Sequence, residues 1–121
     1  MELSEVIALY MDAWRESDRT LRHQLLERVW AEDAAYTDPT AHVIGRQEFV
    51  DHIGRFFEQF PGASFELTSG IDAHHGKLRF TWRMLLADRT VFVEGIDFGE
   101  VSPDGKLHCI VGFFGPPAPK P

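Results

Sequence analysis

Cysteine is nearly missing. Cys109 stands alone, so no internal disulfide can form and a disulfide-built secreted scaffold is excluded. The chain does not open on a basic leader followed by an apolar core, and the expectation is an intracellular, cytoplasmic protein. Positive charge is scarce and scattered: 12 Lys and Arg face 19 Asp and Glu, a net charge of −7 that repels phosphate backbones and anionic lipid surfaces. Nucleic acid is therefore not an expected partner. Nor is a membrane, because no apolar run approaches the roughly 20 residues that a spanning helix needs. The histidines His23, His42, His52, His74, His75 and His108 lack the paired helical spacing of a zinc site, and no metal is expected. No helix start or cation adjoins Cys109 to favour its thiolate, so it reads as a small core residue.

What remains suits one globular domain. The 121 residues are 44% hydrophobic and 26% charged, enough to bury a core and too few for a second domain. The domain is expected over residues 1–115. The tail 116–121, rich in proline, can form neither a helix nor an interior strand.

The most informative stretch is Thr90 to Val101, TVFVEGIDFGEV. As a strand it places Val91, Val93, Gly95, Asp97, Gly99 and Val101 on one side, where Asp97 is the single ionisable group. Turn chemistry predicts the register of its neighbours. A turn at Asp88-Arg89 pairs Met84 with Val93, Trp82 with Gly95 and Phe80 with Asp97. A turn at His75-Gly76 brings Ala73, Ile71, Ser69, Leu67 and Phe65 opposite Leu78, Phe80, Trp82, Met84 and Leu86. Ser102-Pro103-Asp104-Gly105 reads as a three-residue loop closed by a bulge, placing Leu107, Cys109, Val111 and Phe113 on the face of Asp97. The result is one apolar face over four antiparallel strands with a lone carboxyl in it. The same registers set Asp72 against Arg79 and Arg83 against Glu94 on the opposite face, as favourable cross-strand pairs.

Upstream, Leu3, Val6, Ile7, Tyr10 and Trp14 recur at helical spacing. A second helix is expected over Thr20–Trp30, burying Leu21, Leu25, Leu26 and Val29 and leaving Arg19, Arg22, Glu27 and Arg28 in water. Ala34 to Asp38 reads as a short strand whose end Pro39 holds extended, with Tyr36 and Asp38 pointing the same way. Gly45 opens a third helix, where Phe49, Ile53, Phe56, Phe57 and Phe60 form a stripe suited to covering the concave side of the sheet.

This order of elements resembles the nuclear transport factor 2-like, or cystatin-like, superfamily, and within it the SnoaL-like and ketosteroid isomerase branches. The likeness rests on Trp30-Ala-Glu-Asp-Ala-Ala-Tyr-Thr-Asp-Pro39 followed by Ile44-Gly45-Arg46, on Gly95-Ile96-Asp97-Phe98, and on Asp104-Gly105-Lys106-Leu107. It implies an α+β fold in which three N-terminal helices and a short strand precede a curved four-stranded antiparallel meander, forming a cone with an internal pocket. Carried onto this chain, the resemblance implies Asp38 as the general base, with Tyr10 and a protonated Asp97 as donors to the substrate oxygen. A carboxyl held neutral by an apolar site is the device of ketosteroid isomerase. The residues themselves support that setting for Asp97, since a carboxyl among Phe80, Trp82, Met84, Val93 and Phe113 is desolvated. Trp14, Trp30, Tyr36, Phe56, Phe80, Trp82, Met84 and Phe113 are the expected pocket residues. Some relatives hydrolyse epoxides with an Asp-Arg-Asp set, but the expected register turns Arg79 and Arg83 away from Asp97.

Plainer roles exist for each residue. Asp-Pro at a strand end is a common cap, Tyr10 can bond a backbone group, and Asp97 can be satisfied by buried water or by Tyr10. Two function classes therefore stay open. One is a cofactor-independent isomerase or cyclase acting on an apolar carbonyl compound, and the other is a non-catalytic binding module holding an apolar metabolite. On the outer face, Phe92, Ile96, Phe98, Ile110 and Phe114 lie among charged residues with nothing left in the chain to cover them, so a homodimer is expected.

Overall fold

The computed structural model describes every residue from Met1 to Pro121. Three helices and a hairpin come first: α1 (Leu3–Ala13), α2 (Arg19–Val29), β1 (Trp30–Asp38), β2 (Ala41–Ile44) and α3 (Arg46–Gln59). Five strands follow: β3 (Ser64–Leu67), β4 (Asp72–His74), β5 (Lys77–Leu85), β6 (Val91–Val101) and β7 (Leu107–Phe114). They join in one open, mixed sheet of order β2-β1-β7-β6-β5-β3, with β4 also on β5. The expected α+β fold is present, but the sheet has seven strands, because β1 pairs in parallel with β7 and β2 turns back on β1. No helix is long and apolar enough to cross a membrane. Residues 116–121 carry no helix or strand and are exposed.

Local chemistry explains the element ends. Asp18 caps α2, its carboxylate accepting the Leu21 N–H at 2.9 Å. Gly45, at φ 96°, turns the chain from β2 into α3, a conformation that costs a side-chain-bearing residue dearly. His75 and Gly76, both at positive φ, form the expected tight turn, and Ala73 meets Leu78 as predicted. Beyond Ile71 the register moves by two, so that Leu67 pairs with Trp82 and Phe65 with Met84. A shift of two keeps every side chain on its predicted face. The pairs Phe80–Asp97, Trp82–Gly95 and Met84–Val93 form as expected, and a bulge after Met84 absorbs the different turn at Leu86–Thr90.

The last hairpin departs from expectation. Its Ser102–Lys106 loop is the predicted one, with Gly105 at φ 85°, yet a second irregularity at His108 adds one residue between the Val101–Leu107 and Glu100–Cys109 pairs. One extra residue inverts every side chain beyond it. Ile110, Gly112 and Phe114 therefore face inward, while Cys109, Val111 and Phe113 face outward. The physical reason lies at Asp97, whose cross-strand partner is now Gly112: a Cβ there would fall 2.7 Å from Asp97 Oδ1. The expected register would have put a bulky side chain at that spot.

The helices hold the concave face. Val6, Ile7, Tyr10 and Met11 of α1 and Phe49, Val50 and Ile53 of α3 are buried against Leu78, Phe80, Leu107 and Ile110 of the sheet. Phe49 stacks on Trp30 at 4.4 Å and on Tyr36 at 4.9 Å between ring centroids. Burial of each such aromatic stabilises the fold by about 1.5–3 kcal/mol. Arg22, expected in water, is instead buried, and Leu21 is exposed. The Arg22 guanidinium donates to the carbonyls of Val50 at 3.1 Å and Glu16 at 2.8 Å, tying α2 and the loop after α1 to α3. Three carbonyl acceptors make that burial tolerable, and Gly54 gives the guanidinium its space.

Gly95 does for Trp82 what Gly112 does for Asp97. A Cβ at Gly95 would lie 2.3 Å from the Trp82 ring and 2.7 Å from the Phe113 carbonyl oxygen. Gly95→Ala is therefore expected to destabilise the protein by about 1–3 kcal/mol through overpacking. Denaturant unfolding measures this, and a change within error of zero would mean that Trp82 is free to move aside.

Candidate active site

A cavity of about 440 Å³ opens between α3 and the inner face of the sheet. That volume is in the range of small-molecule sites. Most of its wall is apolar, from Met11, Trp14, Phe56, Phe60, Phe65, Trp82, Met84, Phe92, Val93 and Phe114. The polar groups are few: Tyr36, Asp38, Thr40, His52, Arg55, Gln59 and Asp97.

Asp38 on β1 and Asp97 on β6 lie in one row across the sheet, with β7 between them. Asp97 pairs with Gly112 on β7, and β1 runs along the other side of β7 so that Asp38 Cβ lies 3.7 Å from where a Gly112 Cβ would be. Two strand spacings of roughly 4.8 Å thus separate the two backbones, and the missing side chain between them leaves the gap open.

Their environments differ. Asp38 accepts three hydrogen bonds: the Thr40 N–H and Thr40 hydroxyl both donate to Oδ1 at 2.7 Å, and the Tyr36 hydroxyl donates to Oδ2 at 2.7 Å. Every partner is a donor, the arrangement that suits an ionised carboxylate. Pro39 and the turn to β2 create it by holding Thr40 back over the carboxylate. Asp97 is only 6% exposed, and its one protein partner is the Trp82 indole, which donates to Oδ1 at 2.9 Å. Burial pushes its pKa up to about 7; the Trp82 bond opposes the shift and the charge of Asp38 adds to it.

The remaining expected residues divide. Trp14, Tyr36, Phe56, Trp82 and Met84 line the cavity as predicted. Trp30 and Phe80 do not, being sealed in the core below it. Phe113 is displaced by the bulge at His108 and stands 57% exposed on the outer face, its expected place taken by Phe114. Tyr10, 1% exposed, lies behind the cavity wall rather than in it, packed beside the stacked rings of Trp30 and Phe49. Burial together with the nearby charge of Asp97 raises its pKa well above the usual tyrosine value.

His52, Arg55 and Gln59 were missed as site residues. They recur at helical spacing along α3 beside Phe56, so the stripe that reads as pure core carries a polar flank turned to the cavity. His52 is half-buried against Trp14 and Tyr36, and burial lowers its pKa, favouring the neutral imidazole. Arg79 and Arg83 face away as expected, bound to Asp72 and Glu66 respectively.

Three helices against one open mixed sheet, with a cavity lined from α1, α3 and the sheet and two unlike carboxyls in its depth, make the nuclear transport factor 2-like, or cystatin-like, fold. Within it, residues 7–109 match the SnoaL-like domain, and the chain belongs to that family. It is 30% identical to a crystal structure from Agrobacterium tumefaciens provisionally described as an isomerase of the SnoaL-like family, with 93% of this chain and 96% of that one aligned at a TM-score of 0.87. More distant likenesses show the fold alone. A protein from Jannaschia provisionally described as a SnoaL-like polyketide cyclase aligns at 10% identity and TM-score 0.73, covering 93% of this chain and 84% of that one. A Catenulispora acidiphila protein with a ketosteroid isomerase-like fold, in complex with trimethylamine, aligns at 14% identity and TM-score 0.71, covering 89% and 83%. No curated protein matches the sequence.

Proposed function

We propose that the protein is a cofactor-independent isomerase or cyclase that moves a proton at a carbon next to the carbonyl of a largely apolar small molecule. The observation that carries this reading is the pair of unlike carboxyls on either side of Gly112 in one cavity. Asp38, held as an acceptor, takes the proton from the carbon. The electrons of the C–H bond move into the C–C bond and the carbonyl π pair onto oxygen. Neutral Asp97 donates a hydrogen bond to that oxygen, stabilising the enolate more than the ketone. The enolate then either recovers the proton at another carbon, as an isomerase requires, or attacks a second carbonyl of the same molecule, as a cyclase requires. The second donor assigned to Tyr10 passes in this reading to His52, whose neutral ring faces the cavity with no hydrogen bond to the rest of the chain.

The test is proton exchange. β,γ-Unsaturated ketones and 1,3-diketones are incubated with the protein in D2O and followed by proton NMR. Deuterium is expected at the carbon between the carbonyl and the double bond, or between the two carbonyls, faster than in buffer alone. Compounds that bind without accelerated exchange would transfer the lead to the binding-module reading.

We propose further that the protein self-associates through the outer face of β6 and β7. Phe98 and Phe113, 42% and 57% exposed, lie there with ring centroids 6.4 Å apart, and no element of the chain covers them. The patch differs from the expected one, since Ile110 and Phe114 face inward, Phe92 turns to the cavity rim against Phe60, and Phe113 takes their place. Sedimentation is expected to give about twice the 13.8 kDa chain mass at micromolar concentration and Phe113→Glu to halve it; a wild-type monomer rules the dimer out.

A further inference from the structure

The cavity is asymmetric in charge. Its only cation is Arg55, exposed on the lip one helical turn from His52, whereas both carboxyls lie at the sheet end. Arg55 is also uncommitted. Arg15, Arg19, Arg79 and Arg83 are paired with carboxylates, and Arg22 and Arg46 donate to backbone carbonyls. Arg55 has no acceptor within the chain, although Asp51 lies one turn before it and is taken by Arg19. In a protein of net charge −7, an unpaired guanidinium at the mouth of a largely apolar cavity is a local exception to the field. Gln59, one turn further along α3 on the same flank, adds an amide donor to the lip.

We infer that the ligand is amphipathic and anionic: a carboxylate-bearing carbonyl compound whose charged end is held at the lip by Arg55 and Gln59 while its carbonyl end reaches Asp97. This rests on the proposed function for the carbonyl end. The charge distribution also sets the orientation, because the ionised Asp38 repels a carboxylate inserted the other way round. Arg suits the task, since its planar fork matches a carboxylate with two parallel N–H bonds.

Calorimetric titration near neutral pH with two probes tests it: 2-naphthol, and 6-hydroxy-2-naphthoate, which adds a carboxylate to the same ring. The wild type is expected to hold the naphthoate about three- to tenfold more tightly than the naphthol, the range for a partly exposed ion pair with charge-assisted hydrogen bonds. Raised salt should shrink that preference. Arg55→Gln is expected to bring the two probes level with naphthol affinity unchanged, which also shows that the variant is folded. Equal affinities in the wild type, a preference that survives Arg55→Gln, or failure of the wild type to bind either probe overturns the inference. The proton-transfer reading is decided separately, by whether the wild type accelerates exchange into the neutral ketones and diketones and Asp38→Asn does not.

Discussion

Asp38→Asn is expected to slow proton exchange by roughly a hundred- to ten-thousand-fold, the usual share of a positioned general base. The substitution isolates basicity from structure. An Asn amide oxygen can still accept from the Thr40 N–H and hydroxyl, and its NH2 can donate to the Tyr36 oxygen that now donates to Oδ2, so the turn into β2 should keep its form. Affinity for 2-naphthol should therefore change little while turnover collapses, the signature of an interaction made in the transition state. A loss of less than tenfold, in a variant that binds normally, would remove Asp38 from the mechanism and leave it as the cap of a strand end.

The second large effect is a pH dependence of stability carried by Asp97. Its folded-state pKa of about 7 stands above the ordinary 3.8, with burial as the main cause. The folded state therefore holds a proton that the unfolded chain has released. Its contribution is fully present below pH about 4 and is lost as pH rises to about 7, beyond which the loss is constant. For a group this buried, the full change is about 4 kcal/mol. Other carboxylates also titrate in acid, so the useful quantity is the difference between wild type and Asp97→Asn. Denaturant unfolding between pH 4 and 8 should show the wild type losing about 1.4 kcal/mol per pH unit relative to the variant, then levelling near neutrality. A flat difference would mean that Asp97 is hydrated through the cavity. The same ionisation bears on the chemistry, because an ionised Asp97 cannot donate to an enolate. Proton exchange by the wild type is expected to fall above pH about 7, and Asp97→Asn, which keeps an N–H donor, should lose that limb while running at a lower rate.

These expectations come from different depths of the sequence. The placement of Asp97 on a buried strand face followed from alternation along Thr90–Val101 and from the expected turn at Asp88-Arg89, whose Phe80–Asp97 pair the structure keeps, both governed by neighbours a few residues away. The Asp-Pro strand end was legible for the same reason, since Pro39 restricts the residue before it. The two faces of α3 were legible only in part. Helical spacing showed the aromatic stripe, but whether His52, Arg55 and Gln59 meet water or a cavity depends on how far the sheet curls beneath them.

Tertiary structure alone decided the rest. The bulge at His108 exchanged Phe113 for Phe114 and set Gly112 between the aspartates, a choice that depends on what crowds Asp97 from β1, β5 and β7 together. Arg22 is buried because acceptors from the α1–α2 loop and α3 converge on it, which no periodicity within α2 can announce. Tyr10 and Trp30 passed from the expected pocket into the core because Phe49 fills the space before them. By itself, then, the sequence determined the elements, the tight turns and the residue types able to carry proton transfer, since each is settled by local backbone and side-chain sterics. The tertiary structure decided which of them face one another across an open cavity, since that turns on the parallel pairing of β1 with β7 and on packing between residues some seventy positions apart in the chain.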